Sequence, residues 1–338
     1  MKTLKYITWL LFLPLLFNSC KKDKGNNAPS FTPYTIDIPK RFPAMEVPAD
    51  NQMSEERLQL GRKLYYDPIL SNDGRACATC HIQQVGFTIN NISGTTVLPH
   101  QNLGWNKYFL WKGDESGTLE DIMMFEVKDF FATDVNKLNA NTFYKEAFYK
   151  AYGVNAITHK EIAYALAQFF RVLNSGNSKF DKYRRGELSL TPEERNGMIT
   201  FFTERGDCFH CHNDIFLTDN EFHNTGLDSV FYPGNMGRYE VTGNVSDIGK
   251  YKTPTLRNCE LRTRFMHDGR YTTLEEVIEF YNSGVKQTSV NIDPLMTIPE
   301  KATGLHLTQQ EKSDLLLFLK TLTDTAFIYS NDLSKPTY

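Results

Sequence analysis

The sequence predicts a mainly α-helical protein built from two similar halves. Three observations predict it. Helix starts are legible: Thr158-His159-Lys160-Glu161, Thr191-Pro192-Glu193-Glu194, Thr273-Leu274-Glu275-Glu276 and Thr308-Gln309-Gln310-Glu311 each set a hydroxyl three residues before a carboxylate or its equivalent. At that spacing each side chain satisfies an orphan backbone N–H beside the other. Strand-like alternation is scarce. A helix, a loop and Cys-x-x-Cys-His also occur in that order twice.

Along the chain, Lys2 and Lys5 precede an apolar run from Tyr6 to Phe17, then Asn18, Ser19 and Cys20. Residues 1–20 read as a bacterial export signal, too short to span a bilayer. A cysteine directly after a small residue resembles a lipobox. We therefore expect a periplasmic protein attached to the membrane only by lipid on Cys20. Residues 21–50 read as a flexible tether. Residues 51–180 and 181–338 read as two domains, with Asn174 to Glu187 as the boundary. In the first, Ser54 opens a helix containing Gly61, Leu64 and Tyr65, and a loop leads to Cys77. Thr158 opens another, with Ile162, Leu166, Phe169, Phe170 and Leu173 on one face. In the second, Thr191 opens a helix containing Gly197, Phe201 and Phe202, and a loop leads to Cys208. The helix after Thr308, with Leu315, Leu316, Leu319 and Leu322, closes it.

The motifs carry the chemistry. Cys77-Ala78-Thr79-Cys80-His81 and Cys208-Phe209-His210-Cys211-His212 read as c-type haem attachment sites. The thiols form thioethers to the porphyrin, and the adjoining His81 or His212 ligates the iron. A structural zinc site needs four ligands close together, whereas these pairs lie more than a hundred residues apart. A redox dithiol does not need a histidine after both pairs. We expect two covalently bound c-type haems, and hence two cytochrome c-like domains. Cys259 then remains, read as a small buried residue. A net charge of −3 argues against nucleic-acid partners. The 13% aromatic content suits the walls of two flat macrocycles.

Four further stretches carry a resemblance: Leu166-Ala167-Gln168-Phe169-Phe170-Arg171, Phe222-His223-Asn224-Thr225-Gly226-Leu227, Lys252-Thr253-Pro254-Thr255-Leu256-Arg257-Asn258 and Met266-His267-Asp268-Gly269-Arg270. With the haem motifs, they make the chain from about Arg57 to Thr323 resemble the bacterial di-haem cytochrome c peroxidases, including their MauG-type branch. The resemblance implies that hydrogen peroxide meets the haem on His81. Electrons would reach it through the haem on His212 and a bridging Trp111, from a small periplasmic cytochrome or a protein substrate. A homodimer is also implied.

The same resemblance assigns further residues. Tyr281 stands fourteen residues after His267, where the peroxidases have methionine and the MauG branch tyrosine. It shares a helical face with Leu274, Val277 and Ile278, so it is expected to point inward and ligate the second iron. His267 is expected near that haem, and Arg257 is expected to hold a propionate. The glutamate that moves the peroxide proton falls at Phe131, leaving Glu126 or Asp129 to substitute. The family's inter-haem calcium loses its side-chain ligands, because Val97, Arg262 and Arg264 stand at those positions and leave only backbone carbonyls. His100 is the one histidine between the first motif and Trp111 that could cap the first iron. Two alternatives stay open: MauG-type oxidation of a partner protein or small molecule, and a non-enzymatic di-haem electron carrier, which Phe131 favours.

Matured in a host with cytochrome c assembly, the chain should carry two haems that resist acid–acetone extraction. Mass spectrometry showing one haem would refute this.

Overall fold

The computed structural model describes residues 28–89, 96–213, 215–297 and 304–337. The export signal, Cys20 and the first part of the tether lie outside them. Each expected capping box forms: Thr158, Thr191, Thr273 and Thr308 cap the helices His159–Phe170, Pro192–Phe201, Leu274–Glu279 and Gln309–Lys320. Aspartate serves in two more, Thr118 with Asp121 and Ser178 with Asp181. The strands described are two antiparallel two-residue ladders, Tyr108–Phe109 with Glu115–Ser116 and Phe222–His223 with Tyr251–Lys252. Among the described residues, no helix is long and apolar enough to cross a membrane.

Two hydrophobic cores follow the two halves. In the first, helix Glu55–Tyr65 packs on helix His159–Phe170. In the second, helix Pro192–Phe201 packs on helix Gln309–Lys320. Both crossings use a glycine on the shorter-capped partner. A Cβ at Gly61 would overlap the Ala165 carbonyl, and one at Gly197 would overlap that of Asp314. With no side chain at these points, the helix axes approach closely enough for Leu64 and Tyr65, or Phe201, to be fully buried.

The structure departs from the sequence reading in two places. The stretch from Ser30 to residue 50 is not a free tether. Ser30 N–H bonds the Lys150 carbonyl, and Tyr34 N–H bonds that of Met53. Phe42 wedges against Trp105 and Phe216, at centroid distances of 5.3 and 5.0 Å. Aromatic burial holds this arm down despite its polar neighbours. The far C-terminus does not stay with the second half either. Phe327, Ile328 and Leu333 belong to the first core, and Phe327 meets Phe87 at 5.1 Å.

Two buried ion pairs fix elements that matter below. Arg171 grips Glu120 with two bonds of 2.7 Å, tying helix Leu119–Phe125 to the end of helix His159–Phe170. Arg257 grips Asp181 with bonds of 2.8 and 2.9 Å.

Gly61→Ala and Gly197→Ala should each lower unfolding stability by about 1–3 kcal/mol through overpacking against a backbone carbonyl. Denaturant titration of the haem-loaded protein reads this, and unchanged midpoints would contradict the crossing geometry.

Candidate active site

Both Cys-x-x-Cys-His motifs fold as a helical turn, with His81 N–H bonding the Cys77 carbonyl and His212 N–H that of Cys208. Each ring is then held the same way. His81 Nδ1 lies 2.9 Å from the Phe87 carbonyl, and His212 Nδ1 lies 3.1 Å from that of Leu217. A carbonyl only accepts, so each Nδ1 carries the proton and each Nε2 keeps a lone pair for metal. Phe87 and Leu217 are both fully buried and both left-handed, with φ of 58° and 52°. Burial pushes His81 down to about 4 and lowers His212, with the carbonyl bonds opposing, so both rings stay neutral.

The second motif opens onto a cavity of about 220 Å³. Cys208, Cys211 and His212 line it, and so do Leu274, Val277, Ile278 and Tyr281. The helical face expected from sequence is therefore the face that meets the cavity. Sequence reasoning missed that helix Leu274–Glu279 runs into a π-helical turn, Phe280–Gly284. That widening carries Tyr281 and belongs to a class of distortion frequent at functional sites. Burial first, then the sulfurs of Cys211 and Cys208, push the Tyr281 phenol up, while the Thr225 hydroxyl opposes them.

Trp111 and His267 border the same cavity. The Trp111 indole N–H donates to the Thr96 carbonyl at 2.7 Å, and its own carbonyl takes the Lys252 N–H at 2.8 Å. Its ring meets His267 edge-on at 6.5 Å. His267 stacks on Tyr251 at 3.6 Å and hydrogen-bonds Asn235 through Nε2, and burial pushes it down to about 4. It stands neutral in the cavity wall.

At the first motif the geometry selects between the two acids. Asp129 is exposed. Glu126 is half-buried beside Cys77, whose thiol feels its charge. Burial, reinforced by Glu115, pushes the Glu126 carboxyl up to about 7. Glu126 begins a second π-helical turn, Glu126–Phe130, and Phe131 N–H closes it on the Glu126 carbonyl at 2.8 Å. This mirrors the second half. Glu126 lies eight residues after the cap Thr118, and Tyr281 eight after the cap Thr273. Counting eight residues on from each cap would have picked Glu126 out in the sequence.

Two expectations need correction. Arg257 is not free for a propionate: Asp181 takes both arms of its guanidinium, and the Ile215 carbonyl takes Nε. His100 does not face the His81 ring across an iron. The two rings stack at 3.2 Å and 11°, whereas opposed ligands with bonds of about 2 Å would hold their centroids about 6 Å apart. His100 instead bonds the buried Tyr65 hydroxyl at 3.2 Å. His223 is held between two carboxylates, with Asp293 2.6 Å from Nδ1 and Asp219 2.8 Å from Nε2. His159, the first residue of its helix, bonds the Thr133 carbonyl at 3.0 Å.

With this geometry in place, the comparisons are decisive. The family model for di-haem cytochrome c peroxidases matches residues 55–189. A solved MauG-like protein associated with microbial copper homeostasis is 32% identical, with a TM-score of 0.82 over 90% of this chain and 99% of that one. The chain belongs to the di-haem cytochrome c peroxidase and MauG family. It is 29% identical to the methylamine utilization protein MauG of Methylorubrum extorquens, over 81% of this chain and 80% of the relative. It is also 29% identical to the cytochrome c551 peroxidase of Nitrosomonas europaea, over 83% and 84%. It is therefore an oxidoreductase whose cofactors are haems. The residues fit that group: each motif offers two thiols and a neutral imidazole, and the second faces a lined cavity with a phenol in its wall.

Tyr281→Phe should change the ferric spectrum of the second haem while leaving two haems bound. If Tyr281 ligates the iron as the sequence leads us to expect, Tyr281→Met should raise that haem's reduction potential, because a neutral thioether would replace an oxygen ligand. Identical spectra and potentials in wild type and Tyr281→Phe would make Tyr281 a packing residue only.

Proposed function

We propose that this protein is a peroxide-driven oxidase of the MauG type, drawing its electrons from a partner protein. The observation that carries the reading is the pair of unlike residues at matched positions, Glu126 in the first half and Tyr281 in the second. When bound, the haem on His81 supplies the iron at which the peroxide bond breaks, and the haem on His212 exchanges electrons with it.

The side chains do the rest. Glu126 accepts the proton from one peroxide oxygen and returns it to the other, which leaves as water. A carboxyl lifted to about 7 suits both halves of that transfer near neutral pH. The Arg171–Glu120 fork holds the helix that presents it. Trp111, fixed at its indole nitrogen and at its backbone, stands as the bridge between the halves. Tyr281 is the expected second-iron ligand, and an oxygen ligand favours the oxidised iron. That makes the second site suited to sharing oxidising equivalents and poorly suited to taking electrons from a high-potential cytochrome. We assign the first haem to residues 51–180, the second to 181–338, and the anchor to lipid on Cys20 facing the periplasm.

A second reading, peroxide removal with a small cytochrome as donor, is favoured only by the peroxidase relatives. A non-enzymatic carrier leaves Glu126 without a role.

Glu126→Gln should slow reaction with peroxide by about 10²–10⁴-fold with both haems retained. In the wild type the rate should fall as pH drops through about 7, because the base form of Glu126 is lost there. The Gln variant should lack that limb. Equal stopped-flow rates in the two proteins would sink the proposal.

A further inference from the structure

Arg171 and Arg257 are buried to 2% and 3% exposure, and a carboxylate fork closes each of them. Arg262 breaks this pattern. It borders the second cavity together with Trp111, Met266 and His267. Among the described residues, no carboxylate pairs with it. Its guanidinium makes one long hydrogen bond to them, 3.3 Å from Nη2 to the Val97 carbonyl. Burial pulls it down to about 10, and of the groups around it only the Cys259 thiol opposes that. Arg262 is half-buried, and a guanidinium carries five N–H donors in a planar fork, so most of its donors are left to the cavity and to solvent.

Haem brings two carboxylates of its own. Its vinyl edge belongs to Cys208 and Cys211, so its propionates need a cation from another segment. We propose that Arg262 anchors a propionate of the second haem, the role the sequence first suggests for Arg257. A guanidinium matches a carboxylate in two parallel bonds, as Arg171 and Arg257 already do in this fold. The placement also has a consequence for electron flow. Val97 follows Thr96, whose carbonyl holds the Trp111 indole N–H. One short stretch of backbone therefore sets both the bridging tryptophan and the fixed positive charge beside it. This inference rests on the cavity being the second haem's site.

The test uses the full haem-loaded protein. Mass spectrometry counts the haems, and spectroelectrochemistry follows each haem in Arg262→Gln and Arg262→Lys. Both variants should keep two haems. In Arg262→Gln the second haem's midpoint should fall, since losing a nearby positive charge favours the oxidised form. Arg262→Lys should stay closer to the wild type, and the first haem should move less than the second. An unmoved second midpoint in Arg262→Gln overturns the proposal. If that variant does not accumulate, a crystal structure of the loaded wild type decides. A propionate oxygen within about 3.2 Å of an Arg262 nitrogen supports the anchor, and propionates turned elsewhere refute it. Haem missing from Cys208 and Cys211 would be a different failure, that of the di-haem reading itself.

Discussion

Each site depends on one hydrogen bond made twice, from a histidine Nδ1 to a buried backbone carbonyl. A histidine can ligate iron only if one nitrogen keeps a lone pair. The carbonyls of Phe87 and Leu217 settle which nitrogen that is. To aim those carbonyls inward, both residues adopt a left-handed backbone that bulky side chains rarely take. Strain of this kind persists where surrounding packing over-determines the chain. Here the packing comes from the two cores, in which Phe87 and Leu217 have no exposed surface.

The cores also meet through polar groups. Asn102 and Ser175 exchange bonds of 2.9 and 3.0 Å, Asn258 reaches Ser175 at 3.0 Å, and Asp324 takes the N–H groups of Gly176 and Asn177. These groups are buried, so every partner left unmatched would carry a desolvation cost. The network makes the join between the halves specific in register, which an apolar join would not. Register matters because Trp111, in the turn between the two first-half strands, accepts the Lys252 N–H of the second half at its carbonyl.

The two halves share a plan and differ in chemistry. Each has a glycine-mediated helix crossing, a haem motif, a left-handed carbonyl and a capped helix that widens into a π turn. At the matched position eight residues after the cap, one half carries a carboxyl and the other a phenol. In the proposed function the carboxyl would move protons and the phenol would hold the second iron. That proposed division of labour rests on a single side-chain difference on a repeated scaffold.

The haem motifs, the capping boxes, the helical class and the inward face of Tyr281 were legible in the sequence, because each depends on residues a few positions apart. Gly61 and Gly197 could be read as repeat positions, though not as crossing points. The partners of charged side chains were not legible. Arg257 lies 76 positions from Asp181, and Arg171 lies 51 from Glu120. No local pattern says which arginine finds a protein carboxylate and which, like Arg262, is left facing a cavity. The same holds for His100, whose ring partner Tyr65 lies on a helix 35 positions away, and for the Asp293 side of His223. The packing of the arm from Ser30 and the return of Phe327 to the first core were hidden for a related reason. Their anchoring surfaces are assembled from residues far away in the chain. The sequence by itself determined the local geometry and the cofactor chemistry. Tertiary structure decided which charges were neutralised and which acid, Glu126 or Asp129, was half-buried, because burial is a property of the assembled whole.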